Sequence, residues 1–211
     1  MSRLRPIAPA CRIGSTVSKW EAVSMGESSY VAEASRCLLA KGFAPDAIDE
    51  ALGILGRGAR VDRVYIFEDE VVSVGGERVT SQRYEWVAPG IAPQIDDPAC
   101  QRMPYRTFGA ERAAHLLRGD AAMTLTRETQ PASFRRILAS QGIQSLLLCP
   151  IVHQRSTWGF VGFDDCHSER HWPAPELTAL RGFARAMTAA LRQAGLSETL
   201  GLARTQLRKI L

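Results

Sequence analysis

Residues 146–172 constrain the fold more than any other part of this 211-residue chain. Their pattern predicts an apolar strand that ends at Pro150, a polar turn at residues 154–157 and a second strand at residues 158–163. A glycine- and aspartate-bearing turn then leads into a helix. The segment is therefore interpreted as a β-hairpin that precedes a helix.

The remaining apolar patterns predict further helices and strands on either side of this hairpin. They are two helices within residues 30–55 with a break at 42–45, strands at 61–68 and 81–87, a short helix at 110–117, a short strand at 122–127, a helix at 132–141, and a final helix from Pro173. Hairpin-linked strands with helices gathered on one side indicate an α+β domain with a mainly antiparallel sheet.

The connection between Pro89 and Leu117 is long and contains Pro93, Pro98 and Pro104. In a compact domain, a connection of this length is usually a lid or a pocket wall. We therefore expect this segment to cover a ligand.

Three units are expected along the chain. Residues 1–28 are interpreted as an irregular N-terminal extension, residues 29–194 as the domain, and residues 195–211 as a C-terminal connector helix. In the connector, the narrow repeat of Leu200, Ala203, Leu207 and Leu211 is typical of a helix that packs against a partner helix.

Composition excludes several classes of protein. The 26 Lys and Arg against 22 Asp and Glu are scattered, with no motif or aromatic platform for nucleic acid. No apolar run is long enough for a membrane span or a signal-peptide core. The five cysteines include no CxxC pair, which a reduced compartment permits. We expect a cytoplasmic chain without nucleic-acid binding or membrane insertion.

Four segments together resemble the GAF domain family: DRVYIF at 62–67, SQRYEW at 81–86, QGIQS at 141–145 and WGFVGFDD at 158–165. They cover roughly residues 45–191 and are most similar to GAF domains of bacterial sensor histidine kinases and cyclic-dinucleotide signalling proteins. The resemblance implies a GAF-like (profilin-like) antiparallel sheet of about six strands. It also implies terminal helices on one face, often forming a dimer contact, and a ligand cavity under loops on the other face. The family has no common catalytic activity.

Strand alternation divides the aromatic residues between the two faces of the sheet. Val64 and Ile66 point to one face and Tyr65 and Phe67 to the other, while Trp158 and Phe160 are assigned to opposite faces. The candidate ligand-contacting residues are Tyr65, Phe67, Tyr84, Trp86, Tyr105, His115 and Trp158. The alternative is that these aromatic residues simply fill a second core.

The titratable residues around the hairpin do not indicate catalysis. Asp164 and Asp165 are expected to accept backbone hydrogen bonds or to pair with an arginine in the turn before the final helix. The cysteines and histidines at 149, 153, 166, 167 and 171 match no paired-ligand spacing for zinc, so we expect no metal. His115 fits a solvent-facing position, with a polar anchor or a haem ligand as alternatives. The cofactor, if the domain binds one, is unknown from the sequence.

The leading hypothesis is a non-catalytic sensory domain that binds an unknown small molecule or relays a conformational signal through its C-terminal helix to an output domain. A homodimer through the terminal helices is expected. A ligand-free dimerisation module is the second hypothesis. The third is a thiol-dependent enzyme similar to the free methionine sulfoxide reductases, although their cysteine patterns, and those of bilin attachment, cannot be placed in this chain.

Overall fold

The computed structural model describes residues 29–71, 77–119 and 122–210, with the backbone alone described at 198 and 201–210. The predicted extension at 1–28 lies outside these residues. The helices are α1 (Ser29–Lys41), α2 (Pro45–Ala59), α3 (Ala110–Arg118), α4 (Ala132–Ser140) and α5 (Ala174–Ile210). The strands are β1 (Arg63–Val71), β2 (Arg78–Val87), β3 (Met103–Pro104), β4 (Met123–Thr126), β5 (Ser145–His153) and β6 (Ser156–Asp165). Three single 3-10 turns lie at Pro98–Cys100, Tyr105–Phe108 and Arg127–Thr129.

The six strands form one antiparallel sheet in the order β3-β2-β1-β6-β5-β4. The predicted α+β class and GAF-like sheet of about six strands are therefore confirmed. The residue pattern alone located five strands, because β3 has only two residues and lies inside the long connection. A strand that short has no alternation for a pattern to detect.

The two faces of the sheet carry separate apolar cores. A helix-side cluster, centred on Leu38, Leu52, Val64, Ile66, Phe163 and Phe183, lies between the sheet and helices α1, α2 and α5. A loop-side cluster, centred on Tyr65, Phe67, Tyr105, Phe108, Phe134 and Phe160, lies under α3, α4 and the 3-10 turns. The opposite orientations expected along β1 are confirmed, since they follow directly from strand alternation.

A β-bulge in the hairpin explains the placement of Trp158. Ile151 pairs with Gly159 and Val152 pairs with Thr157, so Trp158 is an extra residue in β6. The bulge turns Trp158 to the helix side, whereas Phe160, two residues on, joins the loop-side cluster. The expectation that these two residues lie on opposite faces is confirmed.

The hairpin bounds expected from the sequence are wrong. β5 continues through Pro150 to His153, and the turn consists of Gln154 and Arg155 alone, both with positive φ (49° and 67°). Proline is tolerated here because β4 pairs with β5 only as far as Leu148, which leaves Pro150 on an edge where no ladder hydrogen bond is lost.

The C-terminal helix is continuous. The boundary expected at residue 195 lies inside α5, which runs for 37 residues without interruption. Its first half supplies buried Leu180, Phe183 and Met187 to the helix-side cluster, whereas Leu196 and Leu200 are 66% and 60% exposed. No helix among the described residues is both long enough and apolar enough to cross a lipid bilayer.

Candidate functional site

The loop-side cluster is densely packed with aromatic rings. Phe67 and Phe160 stack with ring centroids 5.0 Å apart, and Phe108 lies edge-on to Phe160 at 6.0 Å and to Phe134 at 4.8 Å. Rings in such offset and edge-to-face arrangements add favourable energy to the burial of their apolar surface. The contacts between these rings therefore hold the connection over the sheet in place against the strands.

The space left inside this cluster is small. The cavity measures about 30 Å³ and is lined by Tyr65, Phe67 and Phe160 among others. This volume holds a water molecule or two. A metabolite between the sheet and the loops would have to displace side chains. The loop side is therefore better described as a second core filled by aromatic residues than as an open pocket.

The seven candidate ligand residues do not share one site. Tyr65, Phe67 and Tyr105 belong to the loop-side cluster, and the first two line the small cavity. Tyr84, Trp86 and Trp158 instead pack against the helix-side cluster. Partly buried His115 lies on α3, outside the residues that line the cavity. The expectation that all seven residues contact one ligand under the loops is therefore wrong.

The misplaced aromatic residues have clear structural roles. Phe43, in the turn between α1 and α2, lies edge-on to Trp158 at 5.7 Å and to Tyr84 at 6.4 Å. Tyr84 and Trp86 pair with Ile66 and Val64 of β1, so alternation turns all four to the helices. Their contact with a loop-side ligand is excluded by the thickness of the sheet.

A buried polar cluster lies at the end of the sheet next to the cavity. The Tyr65 hydroxyl donates a hydrogen bond to Asp164 Oδ1 at 2.8 Å. The Tyr65 ring lies across Gly162, where a Cβ atom would come within 2.0 Å of it, so this contact requires glycine. The other carboxylate oxygen of Asp164 lies 3.8 Å from the Arg63 guanidinium and has no hydrogen-bond partner among the described residues.

The environment of Asp164 perturbs its acidity. The side chain is fully buried, and loss of hydration raises the pKa of its carboxyl group to about 7, despite the opposing effects of Tyr65 and Arg63. A carboxyl group with this pKa is close to half protonated at neutral pH. The charge of the cluster therefore depends on conditions near neutrality.

The loop that follows β2 is tied to the sheet by a second buried pair. Glu85 accepts hydrogen bonds from the backbone N–H groups of Gln94 (2.8 and 3.0 Å) and Ile95 (3.0 Å). Arg63, whose Nε lies 4.0 Å from the Glu85 carboxylate, donates to the Ala92 carbonyl at 3.0 and 3.1 Å. The two side chains together hold residues 92–95 against β1 and β2.

Arg63 also reaches the segment that enters α5. Its guanidinium lies 3.1 Å from Cys166 Sγ, directly after β6. In the same segment, Arg170 donates to Glu176 of α5 at 2.7 Å. One buried guanidinium therefore contacts both the loop over the sheet and the connection to the C-terminal helix.

Sequence reasoning missed Arg63 and Glu85, although a signal was present. Glu85 lies between Tyr84 and Trp86, and both of these face the helices, so Glu85 must face the loop side. Arg63 likewise alternates with Val64 and shares a face with Tyr65. Charged residues at core-facing positions of a strand indicate a buried pair, and reading the alternation with polar residues included would have found it.

The residues after β6 form a hydrogen-bonded turn. Asp165 Oδ1 accepts the backbone N–H groups of His167 (2.9 Å) and Ser168 (2.8 Å), which confirms the structural role expected of it. Asp62 Oδ2 accepts from His167 Nδ1 at 2.8 Å and from the Cys166 N–H at 2.7 Å. Asp62, Asp165 and His167 come within metal-ligand reach of one another, but these hydrogen bonds already account for the arrangement.

The cysteines within the described part of the chain show no sign of activation. Burial raises the pKa of the thiols to about 11 for Cys100 and about 12 for Cys149 and Cys166. A nucleophilic cysteine requires the opposite shift, because the thiolate is the reactive form. Cys149 lies in the helix-side cluster and Cys166 packs against the loop-side cluster, so the hairpin does not join them.

Comparison with known proteins agrees with this geometry. The family model described as GAF domain matches residues 45–191. The methanogenesis regulatory histidine kinase FilI of Methanothrix harundinacea (strain 6Ac) is 40% identical over 153 residues, which are 72% of this chain and 17% of the kinase. The chain thus spans about 17% of the length of this curated relative.

Solved structures show the same fold at low sequence identity. The phycocyanobilin-bound GAF domain of a cyanobacterial phytochrome matches with a TM-score of 0.65 and 16% identity over 83% of this chain and 98% of that one. The chromophore-binding domain of a bacteriophytochrome from R. palustris matches with a TM-score of 0.62 and 11% identity over 80% of this chain and 61% of that one. The sheet order, the two-sided core and the family match lead to one conclusion: this chain belongs to the GAF domain family.

Proposed function

We propose that this chain is a sensory and regulatory domain, without catalytic activity of its own, that relays a conformational signal through α5 to an output domain. The contact that carries the proposal is Arg63, because it joins the loop over the sheet to the segment that enters α5. A change at the loop can reach the helix through this one side chain. The similarity to a regulatory histidine kinase supports an output domain.

The continuous helix suits a relay. The part of α5 beyond Leu196 adds 14 residues, and at about 1.5 Å per residue it extends roughly 21 Å past the domain. A small rotation at Phe183 or Met187, where the helix packs on the sheet, is transmitted along this length. The relayed signal is a population shift between two packings of α5 against the sheet.

The loop side indicates what kind of input fits. The cavity of about 30 Å³ is too small for a metabolite, so a loop-side ligand would bind a state in which residues 92–95 have moved. Such a state requires the bonds of Glu85 and Arg63 to these residues to break. Ligand binding and loop release are then one event.

A ligand-free dimerisation module is the second candidate, and the filled loop side favours it. Under this function the terminal helices form a homodimer, for which exposed Leu39 on α1 and exposed Leu196 and Leu200 on α5 supply apolar surface. Its dimer would be insensitive to release of the loop. The proposed location is the cytoplasm for either function, in keeping with the free thiols of Cys37, Cys100, Cys149 and Cys166.

The test is whether loosening the loop changes α5. Glu85→Gln removes the charge that holds the N–H groups of residues 94 and 95, and amide hydrogen exchange is measured over residues 174–190. We expect faster exchange in the loop together with altered exchange in α5. The control is Glu111→Gln, which removes the same charge from the exposed surface of α3. Faster exchange confined to the loop, in a variant with unchanged far-UV circular dichroism, would refute the relay and favour the dimerisation module.

A further inference from the structure

A second and much larger space lies on the helix side of the sheet. It is an open cleft of about 660 Å³ between α5 and the end of β5. Its floor includes Cys149, Val152 and Ala184, and its rim is formed by α5. This volume lies in the range of about 300–1,000 Å³ that is typical of small-molecule sites, whereas the loop-side cavity is far below it.

Among the described residues, the charged side chains at the rim of the cleft are positive. Arg185, Thr188 and Arg192 line it, and their spacing of three and four residues places them on one face of α5. The side chains of Arg185 and Arg192 are exposed and form no ion pair with any residue that the structure describes. None of the described lining residues is acidic. Two guanidinium groups therefore face a concave space without a described counter-charge.

The floor has the opposite character. Cys149 lies directly beneath the surface of the floor, because it is fully buried in the helix-side cluster, and burial keeps its thiol neutral by raising its pKa to about 12. Val152 and Ala184 add aliphatic surface beside it. The cleft thus combines an apolar floor with a cationic rim, and a ligand that satisfies both must be amphipathic and negatively charged.

We propose that this cleft binds a small amphipathic anion, with its carboxylate or phosphate group on Arg185 and Arg192 and its apolar body on the floor. Guanidinium groups bind both types of anion through paired N–H donors. The concave shape and apolar floor favour a small molecule over an extended polyanion. The site goes beyond the relay through Arg63, because its wall is α5 itself and the relay does not require it.

The first test compares ligands that share a ten-carbon chain and carry a charged or an uncharged head group. Isothermal titration calorimetry is carried out with decanoate, decyl phosphate and the uncharged 1-decanol. We expect one decanoate or decyl phosphate per chain, and at least about tenfold weaker binding of 1-decanol, since it lacks the charge-assisted bonds. The tighter of the two anions identifies the preferred head group. Equal binding of decanol and decanoate, or no binding of either anion, overturns the proposal.

The second test changes the rim. The double variant Arg185→Gln, Arg192→Gln should bind decanoate at least about tenfold more weakly than the unaltered chain. The matched control is Arg135→Gln, Arg136→Gln, which removes two exposed charges from α4 on the loop side. Equal losses in both variants would show general charge attraction and overturn the site.

Two further outcomes are separable. Binding that falls as the chain associates at higher concentration would assign the cleft to a second copy, which also overturns the proposal. The hydrogen-exchange effect of Glu85→Gln is measured without any anion. A failure of anion binding therefore leaves the relay proposal standing, and the reverse also holds.

Discussion

Replacement of Asp164 by asparagine should change how the stability of this domain depends on pH. Asparagine keeps the Oδ1 acceptor for the Tyr65 hydroxyl and resembles the protonated acid, so it removes the titration with little change of shape. The carboxyl pKa is about 7 in the folded chain, against an ordinary value of 3.8. Because the pKa is higher in the folded chain, the protonated carboxyl group stabilises the fold. This contribution to the free energy of unfolding is fully present below pH 3.8 and is lost as the pH rises through about 7.

The size of the effect follows from these two values. One pKa unit corresponds to about 1.4 kcal/mol. Between pH 5 and pH 8, the unaltered chain should lose about 2.5 kcal/mol of stability relative to Asp164→Asn. Above pH 8 the difference levels off, because the carboxyl group is then ionised in both the folded and unfolded chain.

Urea unfolding followed by tryptophan fluorescence at pH 5 and pH 8 measures this difference directly. Comparison of the two proteins at each pH cancels the titration of all other groups. Asp49→Asn, the same substitution at an exposed position on α2, is the matched control. If the stability difference between the Asp164→Asn variant and the unaltered chain is the same at both pH values, the carboxyl group does not titrate as argued.

Three further outcomes are expected. Gly159→Ala should destabilise the domain by about 3 kcal/mol or more, because the new Cβ would lie 1.9 Å from the Phe67 carbonyl oxygen. Gly182→Ala in α5, where a Cβ has nothing within 4 Å, should be neutral or stabilising by up to about 1 kcal/mol. Urea unfolding of both variants measures this contrast. Phe160→Ala should lower the free energy of unfolding by about 3–5 kcal/mol and open a cavity under the loops. Benzene should therefore raise the melting temperature of this variant and leave that of the unaltered chain unchanged. An assay for reduction of free methionine sulfoxide should show no activity, because burial raises the pKa of the Cys149 thiol to about 12; activity that alkylation abolishes would contradict this.

Local patterns in the sequence sufficed for most of the sheet. The alternation of Val64 and Ile66 with Tyr65 and Phe67 predicts two different faces, and the structure has both. The short strand β3 could not be found in this way, because its pairing with Val79 and Thr80 depends on tertiary structure. The same limit applies to the hairpin, where the position of Pro150 beyond the end of β4 decides whether proline is tolerated.

The candidate site was harder to predict, for a physical reason. Large aromatic side chains become buried on whichever face they occur, so their presence does not distinguish a pocket from a core. Trp86 and Trp158 are pocket candidates by sequence, but both pack against the helix-side cluster. Arg63 and Glu85 carry more information, because a buried charge is stable only with a partner, and each partner limits the structure around it.

The sheet that separates the two cores has a consequence for how this domain can diverge. Residues such as Phe134 and Phe183 lie on opposite sides of a full layer of backbone and share no cluster. The energetic effects of substitutions at positions so separated generally add. A lineage can therefore remodel the chemistry under the loops while the helical layer keeps its shape, and can alter its assembly without disturbing what the loops enclose.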